Sequence, residues 1–267
     1  MHPRLVLKFG GKALETVEKI YNAKDIILSY VQAGYKPLVV VSAMGNMTDT
    51  LLQLAKQINS SPPKRELDML LTAGERISMS LLTMALDAKG LRAVSFTGSQ
   101  SGIITDNEFT NARIKKIYTK RIEEAFCDHD VIVVAGFQGM SEEKEITTLG
   151  RGGSDTTAVA LAHAFGAQKC LFFKDVPGLF SKNPNFYIDA EFIEEIDYEG
   201  AFEILENESR PLINLRAIRL AQQKEVTLEI VTFNADLFQK KTGTVIRSQK
   251  SPNDKNKFYL SGDFIEC

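Results

Sequence analysis

Three short strings carry residue types that could handle a phosphorylated anion. Lys8-Phe9-Gly10-Gly11 sets an ammonium beside two glycines, whose bare backbone lets N–H groups approach a phosphate while the lysine neutralises it. Taken alone, the string is equally a tight strand-to-helix turn with a surface lysine. Gly150-Arg151-Gly152-Gly153-Ser154-Asp155-Thr156-Thr157 opens a helix and holds a planar guanidinium fork inside a glycine loop. Its Asp155 could orient a lysine or hold a magnesium ion. A capped helix accounts for the Ser and Asp, but caps do not require an Arg among glycines. Lys174-Asp175-Val176-Pro177-Gly178, followed by Phe180, completes the set, although a lone Asp-x-Pro-Gly is a turn. Gly74-Glu75-Arg76 and Ser42-Ala43-Met44-Gly45 are plain singly, a Glu–Arg surface pair and a turn, and gain weight only by co-occurrence.

Positioning these strings falls to short β-branched runs, each followed by a Gly-marked turn and a segment of helical period. The strands expected are Leu5 to Lys8, Pro37 to Ser42, Arg92 to Thr97, Val131 to Ala135, Cys170 to Phe173 and Leu228 to Thr232. Nearly all are too apolar for one-sided burial, which implies a parallel sheet with helices on both faces. Helices are expected over Ile26 to Ala33, Met79 to Lys89 and Thr156 to Phe165, stopped by Gly34, Gly90 and Gly166. In an open sheet of this kind ligands bind where a strand hands over to a turn and helix, which is where the three strings lie.

The chain of 267 residues is long enough for one large α/β domain or two small ones. A net charge of −2 leaves no cationic surplus for nucleic acid. Cys127, Cys170 and Cys267 are odd in number and far apart, so neither a disulfide framework nor a zinc knuckle is expected, and a reducing compartment fits. Met1 to Leu5 runs straight into a strand, and no apolar run reaches the roughly 18 residues of a membrane span, so a cytoplasmic protein with no membrane contact is expected. Gly150-x-Gly152 lacks the third glycine of the dinucleotide fingerprint, and no Walker-type P-loop occurs.

In order along the chain stand KFGG at Lys8, VVVSAMGNMTD from Val39, LLTAGERIS from Leu70, TGSQSGIITD from Thr97, VAGFQG from Val134, ITTLGRGGSDTTAVALA from Ile146 and KDVPGLF from Lys174. On these strings, from Leu7 to about Ile246, the chain resembles the catalytic domain of the aspartokinases, within the amino-acid kinase superfamily. The resemblance implies a three-layer αβα sandwich around a mostly parallel sheet. An N-terminal lobe over about 1–135 would bind the substrate and a C-terminal lobe over about 136–250 the nucleotide, with a polar tail over 251–267. It also implies transfer of the ATP γ-phosphoryl group, with Mg2+, to the β-carboxylate of L-aspartate, the first step of lysine, threonine, methionine and diaminopimelate biosynthesis.

By position, the resemblance gives Lys8 the transferring phosphoryl group and Asp155 its organisation, with Gly10 and Gly11 along the phosphates. Glu75 would hold the amino group, Arg151 and Ser154 the α-carboxylate, Ser42 and Thr48 the other end of the amino acid, and Phe137 would form a wall. Lys174, Asp175 and Phe180 would border the nucleotide. No general base is needed, because a carboxylate is already a nucleophile at neutral pH and phosphoryl transfer asks chiefly for positioning and charge neutralisation. The few histidines, His2, His129 and His163, therefore do not count against catalysis.

Several positions depart from the family pattern. Lys12-Ala13 stands where Thr-Ser is usual, Lys174 where Thr is usual, Phe180 where Tyr is usual, and Asn183-Pro184-Asn185 where Asp-Pro-Arg is usual. Lys12 or Lys174 is expected to replace the missing positive charge. Arg210, in Ser209-Arg210-Pro211-Leu212-Ile213-Asn214, is expected to keep the cationic role of a family lysine. The chain ends about twenty residues after Thr242 to Ile246, so the paired ACT regulatory domains, and with them feedback inhibition, are expected to be absent. A homodimer is compatible with the resemblance. Two rivals stand beside this reading: a superfamily kinase of another small acid such as N-acetylglutamate, and a non-catalytic nucleotide- or amino-acid-sensing module. Glu75 favours a free α-amino acid, since an acylated nitrogen needs no carboxylate partner.

Overall fold

The computed structural model describes residues 3–182, 184, 187–208, 211–233 and 243–248. In chain order the strands are β1 (Arg4–Phe9), β2 (Lys36–Val41), β3 (Ala93–Phe96), β4 (Ile103–Thr105), β5 (Ile114–Ile117), β6 (Val131–Ala135) and β7 (Gln138–Ser141). There follow β8 (Ile146–Thr148), β9 (Cys170–Lys174), β10 (Leu179–Phe180), β11 (Phe192–Ile193), β12 (Glu195–Ile196), β13 (Leu228–Thr232) and β14 (Gly243–Ile246). The helices are α1 (Val17–Gln32), α2 (Met47–Ile58), α3 (Lys64–Asp87), α4 (Lys120–Asp128), α5 (Gly153–Ala164), α6 (Tyr198–Glu206) and α7 (Leu215–Gln223), with a 3-10 turn over Gly11–Leu14.

The six apolar runs form the parallel heart of an eight-stranded sheet in the order β12-β14-β13-β9-β1-β2-β6-β3, extended beyond β13 by the antiparallel β14. Each central strand is buried on both sides, and the pleat divides its residues between two cores. Leu5, Leu7 and Phe9 of β1 join Val39 and Val41 of β2 on the face that also buries Ile20 and Ile27 of α1 and Leu82 and Leu86 of α3. Val6 of β1 and Val40 of β2 join Phe172 of β9 on the opposite face, against Ala158 and Leu161 of α5 and Ile218 of α7. The result is a three-layer αβα sandwich. Strands from before and after residue 135 share the one sheet.

Gly34, Gly90 and Gly166 adopt φ values of +89°, +80° and +62°, so the helix stops fall where glycine requires them. The helix starts lie further upstream than the sequence suggested. α1 begins at Val17 behind Thr16, whose side chain accepts a bond from the Lys19 N–H at 3.3 Å, and α3 begins at Lys64. Polar, exposed first turns hide such starts from an apolar-period reading, whereas capping chemistry reveals one of them.

A second sheet, ordered β5-β4-β7-β8, was not expected. It pairs β4 in parallel with β7 and antiparallel with β5, and its strands have three or four residues, too few to show alternation. Arg210, Asn183, Asn185 and the tail over 251–267 lie outside the described residues. Among those described, no helix is long and apolar enough to cross a membrane.

Candidate active site

Lys8 shares the pleat face of Val6, so it projects from the C-terminal end of β1 toward α5 rather than toward α1 and α3. There its Nζ meets Asp155 Oδ1 at 2.5 Å, with both side chains almost fully buried. Asp155 lies in the first turn of α5, and its Oδ2 accepts the backbone N–H of Asn214, at the start of α7, at 3.0 Å. Asn214 Nδ2 in turn donates to the Arg151 carbonyl at 3.2 Å, which ties the glycine loop to α7. Gly152 enters α5 with φ of +75°, and a Cβ at this position would collide with the Asn214 side chain. The glycine is therefore required twice over, by its backbone conformation and by the close approach of α7.

Lys174 ends β9, the strand beside β1. Burial pushes the Asp155 carboxyl up, but the Lys174 and Lys8 ammonium groups outweigh it and hold the group below the usual carboxylate range. Burial pushes Lys174 down to about 8, with Asp155 opposing and Lys8 adding to the shift. Lys12 Nζ meets Asp175 Oδ2 at 2.8 Å near the surface.

Two clefts flank this cluster. The smaller, of about 430 Å³, is lined by Ser42, Thr48, Glu75, Phe137, Arg151 and Ser154, among others. Ser42 Oγ and Ser154 Oγ are 2.7 Å apart. Glu75 projects from α3; its Oε1 accepts the Ala43 N–H at 3.0 Å, while its Oε2 is buried with no hydrogen-bond partner among the described residues. Burial pushes the Glu75 carboxyl up to about 7, against the Ala43 N–H and the Lys8 charge. An unpaired buried carboxylate oxygen is costly, and a cation arriving in the cleft would relieve it. Phe137 forms a wall in a left-handed conformation, φ +69°, which is rare outside glycine. Thr157 fixes it: its Oγ1 accepts the Phe137 N–H at 3.0 Å and donates to the Gly153 carbonyl at 2.9 Å.

The larger cleft, of about 630 Å³, is lined by Lys12, Asp175, Gly178, Phe180, Ile204 and Leu212, among others. Gly11 borders the smaller cleft and Lys12 the larger, so the Gly10-Gly11 turn stands between them. Lys8, Asp155 and Lys174 themselves line neither cleft; their chain neighbours do, Ser154 beside Asp155 on the smaller cleft and Asp175 beside Lys174 on the larger. A Cβ on Gly11 would come within 2.8 Å of the Ala43 carbonyl, so this turn too packs tightly on the strand-to-helix turn after β2. The sequence-derived residues thus converge on one region, Arg210 excepted.

Sequence reasoning missed three supports. Asp68 of α3 is fully buried, and its carboxylate accepts the Thr110 N–H, the Thr148 N–H at 2.9 Å and the Thr148 hydroxyl at 2.6 Å. Thr110 and Thr148 both line the smaller cleft, so Asp68 pins its outer wall to α3. Its only sequence signal was a charge inside the apolar run Leu67 to Leu71. Thr157 and Asn214 gave no signal beyond helix-start composition.

Comparison with known proteins gives one consistent picture. The model of the amino acid kinase family matches residues 3–232. An aspartokinase of Bacillus sp. (strain MGA3) is 45% identical over 245 residues, which is 92% of this chain and 58% of the relative. Aspartokinase 2 of Bacillus subtilis (strain 168) is 46% identical over 247 residues, 92% of this chain and 59% of the relative. The chain thus spans about three fifths of the length of these curated relatives. The crystal structure of aspartate kinase from Synechocystis superposes with a TM-score of 0.81 at 37% identity, covering 94% of this chain and 40% of that one. E. coli aspartokinase III, solved in complex with aspartate and ADP, superposes with a TM-score of 0.76 at 21% identity, covering 92% and 65%, a likeness of fold.

Proposed function

Since the chain belongs to the amino acid kinase family, we propose that it transfers the γ-phosphoryl group of ATP to the β-carboxylate of L-aspartate, forming β-aspartyl phosphate and ADP. The observation that carries the acceptor assignment is Glu75, a buried carboxylate on the smaller cleft with one oxygen unpaired among the described residues. An α-ammonium group meets that oxygen with a full positive charge as well as a hydrogen bond, whereas an acylated nitrogen offers only one neutral N–H. The similarity to bacterial aspartokinases supports the same acceptor.

In this reading Arg151, exposed at the rim, and Ser154 take the α-carboxylate, Arg151 by its planar fork. Ser42 and Thr48 bind toward the other end of the amino acid, and Phe137 closes the wall. The nucleotide lies in the larger cleft with Phe180, Lys12 and Asp175 at its border, and the phosphates follow the Gly10-Gly11 turn toward Lys8. Lys8 neutralises the group in transit, and Asp155 holds Lys8 in place. The two substrates repel each other as anions, so the main task is to hold them in line beside fixed positive charge.

Magnesium would enter with the nucleotide, neutralising phosphate charge and taking most of its ligands from phosphate and water. Asp175 fits one protein ligand: it is a carboxylate on the cleft whose ion-pair partner, Lys12, is exposed and can give way, whereas Asp155 is buried between Lys8 and the Asn214 N–H. The free thiols of Cys127 and Cys170 support a reducing, cytoplasmic setting.

A coupled assay of ADP release with aspartate, glutamate, N-acetylglutamate or no acceptor tests the proposal. Aspartate is expected to stimulate release far above the other three. Preference for N-acetylglutamate would reassign the acceptor, and release independent of every acceptor would remove the kinase reading.

A further inference from the structure

We propose that Arg216, in the first turn of α7, is a positioning residue for the acceptor: it fastens the glycine loop that carries Arg151 to the outer wall of the smaller cleft, and so sets where the Arg151 guanidinium meets the α-carboxylate. The inference rests on the reading of Arg151 as the ligand of that carboxylate. Arg216 Nη1 donates to the Leu149 carbonyl and to Asn111 Oδ1, each at 3.0 Å. Leu149 leads into the glycine loop, and Asn111 follows Thr110 of the cleft wall. One charged nitrogen thus bridges two segments that lie 67 and 105 residues away from it.

The loop depends on such bonds for its path. Gly150 and Gly152, with φ of +77° and +75°, flank Arg151, and their backbone freedom leaves the course of the chain to what its neighbours fix. Each carbonyl from Leu149 to Arg151 is taken: the first by Arg216, the second by the Gly153 N–H at 3.0 Å and the third by Asn214 Nδ2 at 3.2 Å. Two of the three anchors therefore come from α7 and its cap, since Asn214 Oδ1 also accepts the Arg216 N–H at 3.0 Å. The wall meets the loop closely. A Cβ on Gly150 would come within 2.9 Å of Asn111 Oδ1 and 3.2 Å of the Thr110 carbonyl. Asp68 holds Thr110 from α3, and Arg216 joins wall and loop from α7. The Arg151 side chain is exposed and, among the described residues, makes no hydrogen bond or ion pair, so its aim follows from the backbone that carries it.

A structural alternative makes Arg216 a general brace of the fold, with no particular bearing on Arg151. A double-substitution cycle separates the two. Wild type, Arg216→Met, Arg151→Met and the double variant are compared in aspartate-dependent ADP release, with circular dichroism to verify folding. Arg216→Met is expected to raise the KM for aspartate by about tenfold, with the KM for ATP within about twofold and kcat within about threefold of wild type. In the Arg151→Met background no guanidinium remains to be aimed, so removing Arg216 is expected to add less than about twofold. Should Arg216→Met fail to fold, Asn111→Ala, which cuts one of the two bonds, carries the same cycle, with a rise of about threefold that vanishes beside Arg151→Met. Equal rises in both KM values, no rise in either, or effects that multiply in the double variant would overturn the positioning role and leave the kinase reading intact. A wild-type KM for aspartate in Arg151→Met would overturn the α-carboxylate assignment, and the positioning role with it. Wild-type ADP release independent of every acceptor would instead overturn the kinase reading and both of these assignments.

Discussion

Around the smaller cleft two carboxylates are buried and held by backbone partners, Asp68 by the Thr110 and Thr148 N–H groups and Glu75 by the Ala43 N–H. Around the larger cleft the charged groups pair near the surface. Lys12 and Asp175 are 73% and 42% exposed, and Lys182 and Asp189, at the same mouth, are 48% and 64% exposed. A buried carboxylate held by backbone N–H groups fixes geometry, and losing one partner leaves a desolvated group unsatisfied. An exposed ion pair contributes about 0–1 kcal/mol and rearranges readily. The acceptor side should thus be rigid and sensitive to single changes, and the nucleotide side tolerant. That tolerance explains how Lys12 and Phe180 can stand at the border of the larger cleft where the aspartokinase pattern has other residues.

The contrast breaks or sharpens by substitution. The partition between the clefts serves both, so Lys8→Met is expected to have the largest effect, a fall in kcat of about a hundredfold or more, measured as aspartate-dependent ADP release with circular dichroism to verify folding. Residual activity near wild type would remove Lys8 from the reaction.

Glu75→Gln is expected to raise the KM for aspartate by about ten- to a hundredfold with little change in the KM for ATP. The same residue predicts a pH dependence. In the free chain burial lifts Glu75 to about 7, so the carboxylate is largely protonated below that pH. Ammonium binding must then expel a proton, and the KM for aspartate should rise as pH falls through about 7. The Gln variant should lose this dependence on the acid side, and a profile unchanged from wild type would sever Glu75 from the amino group.

Asp68→Asn keeps one acceptor but turns a donor toward backbone N–H groups, and is expected to cost about 1–3 kcal/mol of stability in denaturant titration. Because its partners line only the acceptor side, the KM for aspartate should rise more than that for ATP; equal changes would contradict the division between clefts. The smallest effect is expected for Lys12→Met, a KM for ATP within about threefold of wild type at physiological salt, since its ion pair is exposed. A tenfold or larger loss would make the nucleotide side as rigid as the acceptor side.

Much of this architecture was legible in the sequence because strong local signals coincide with it. Five strands buried on both sides and the half-buried edge strand β3 read as apolar runs, and glycines with positive φ marked three helix ends. Lys8 and Asp155, far apart in sequence, were joined through motif resemblance, and pleat alternation on β1 supplies the physical reason they meet. The second sheet was invisible, since its short strands draw order from partners elsewhere in the chain. Asp68 was invisible for a related reason: Thr110 and Thr148 lie 42 and 80 residues away, and no local pattern announces a bond of that span.

The central claim is that a free amino acid and ATP meet across one cationic partition to form an acyl phosphate. Trapping with hydroxylamine tests it most directly, because an acyl phosphate yields a hydroxamate and a phosphate ester does not. With ATP, magnesium and aspartate, hydroxamate should accumulate at the rate of ADP release and disappear in Lys8→Met. ADP release from ATP and aspartate without any hydroxamate would contradict the account.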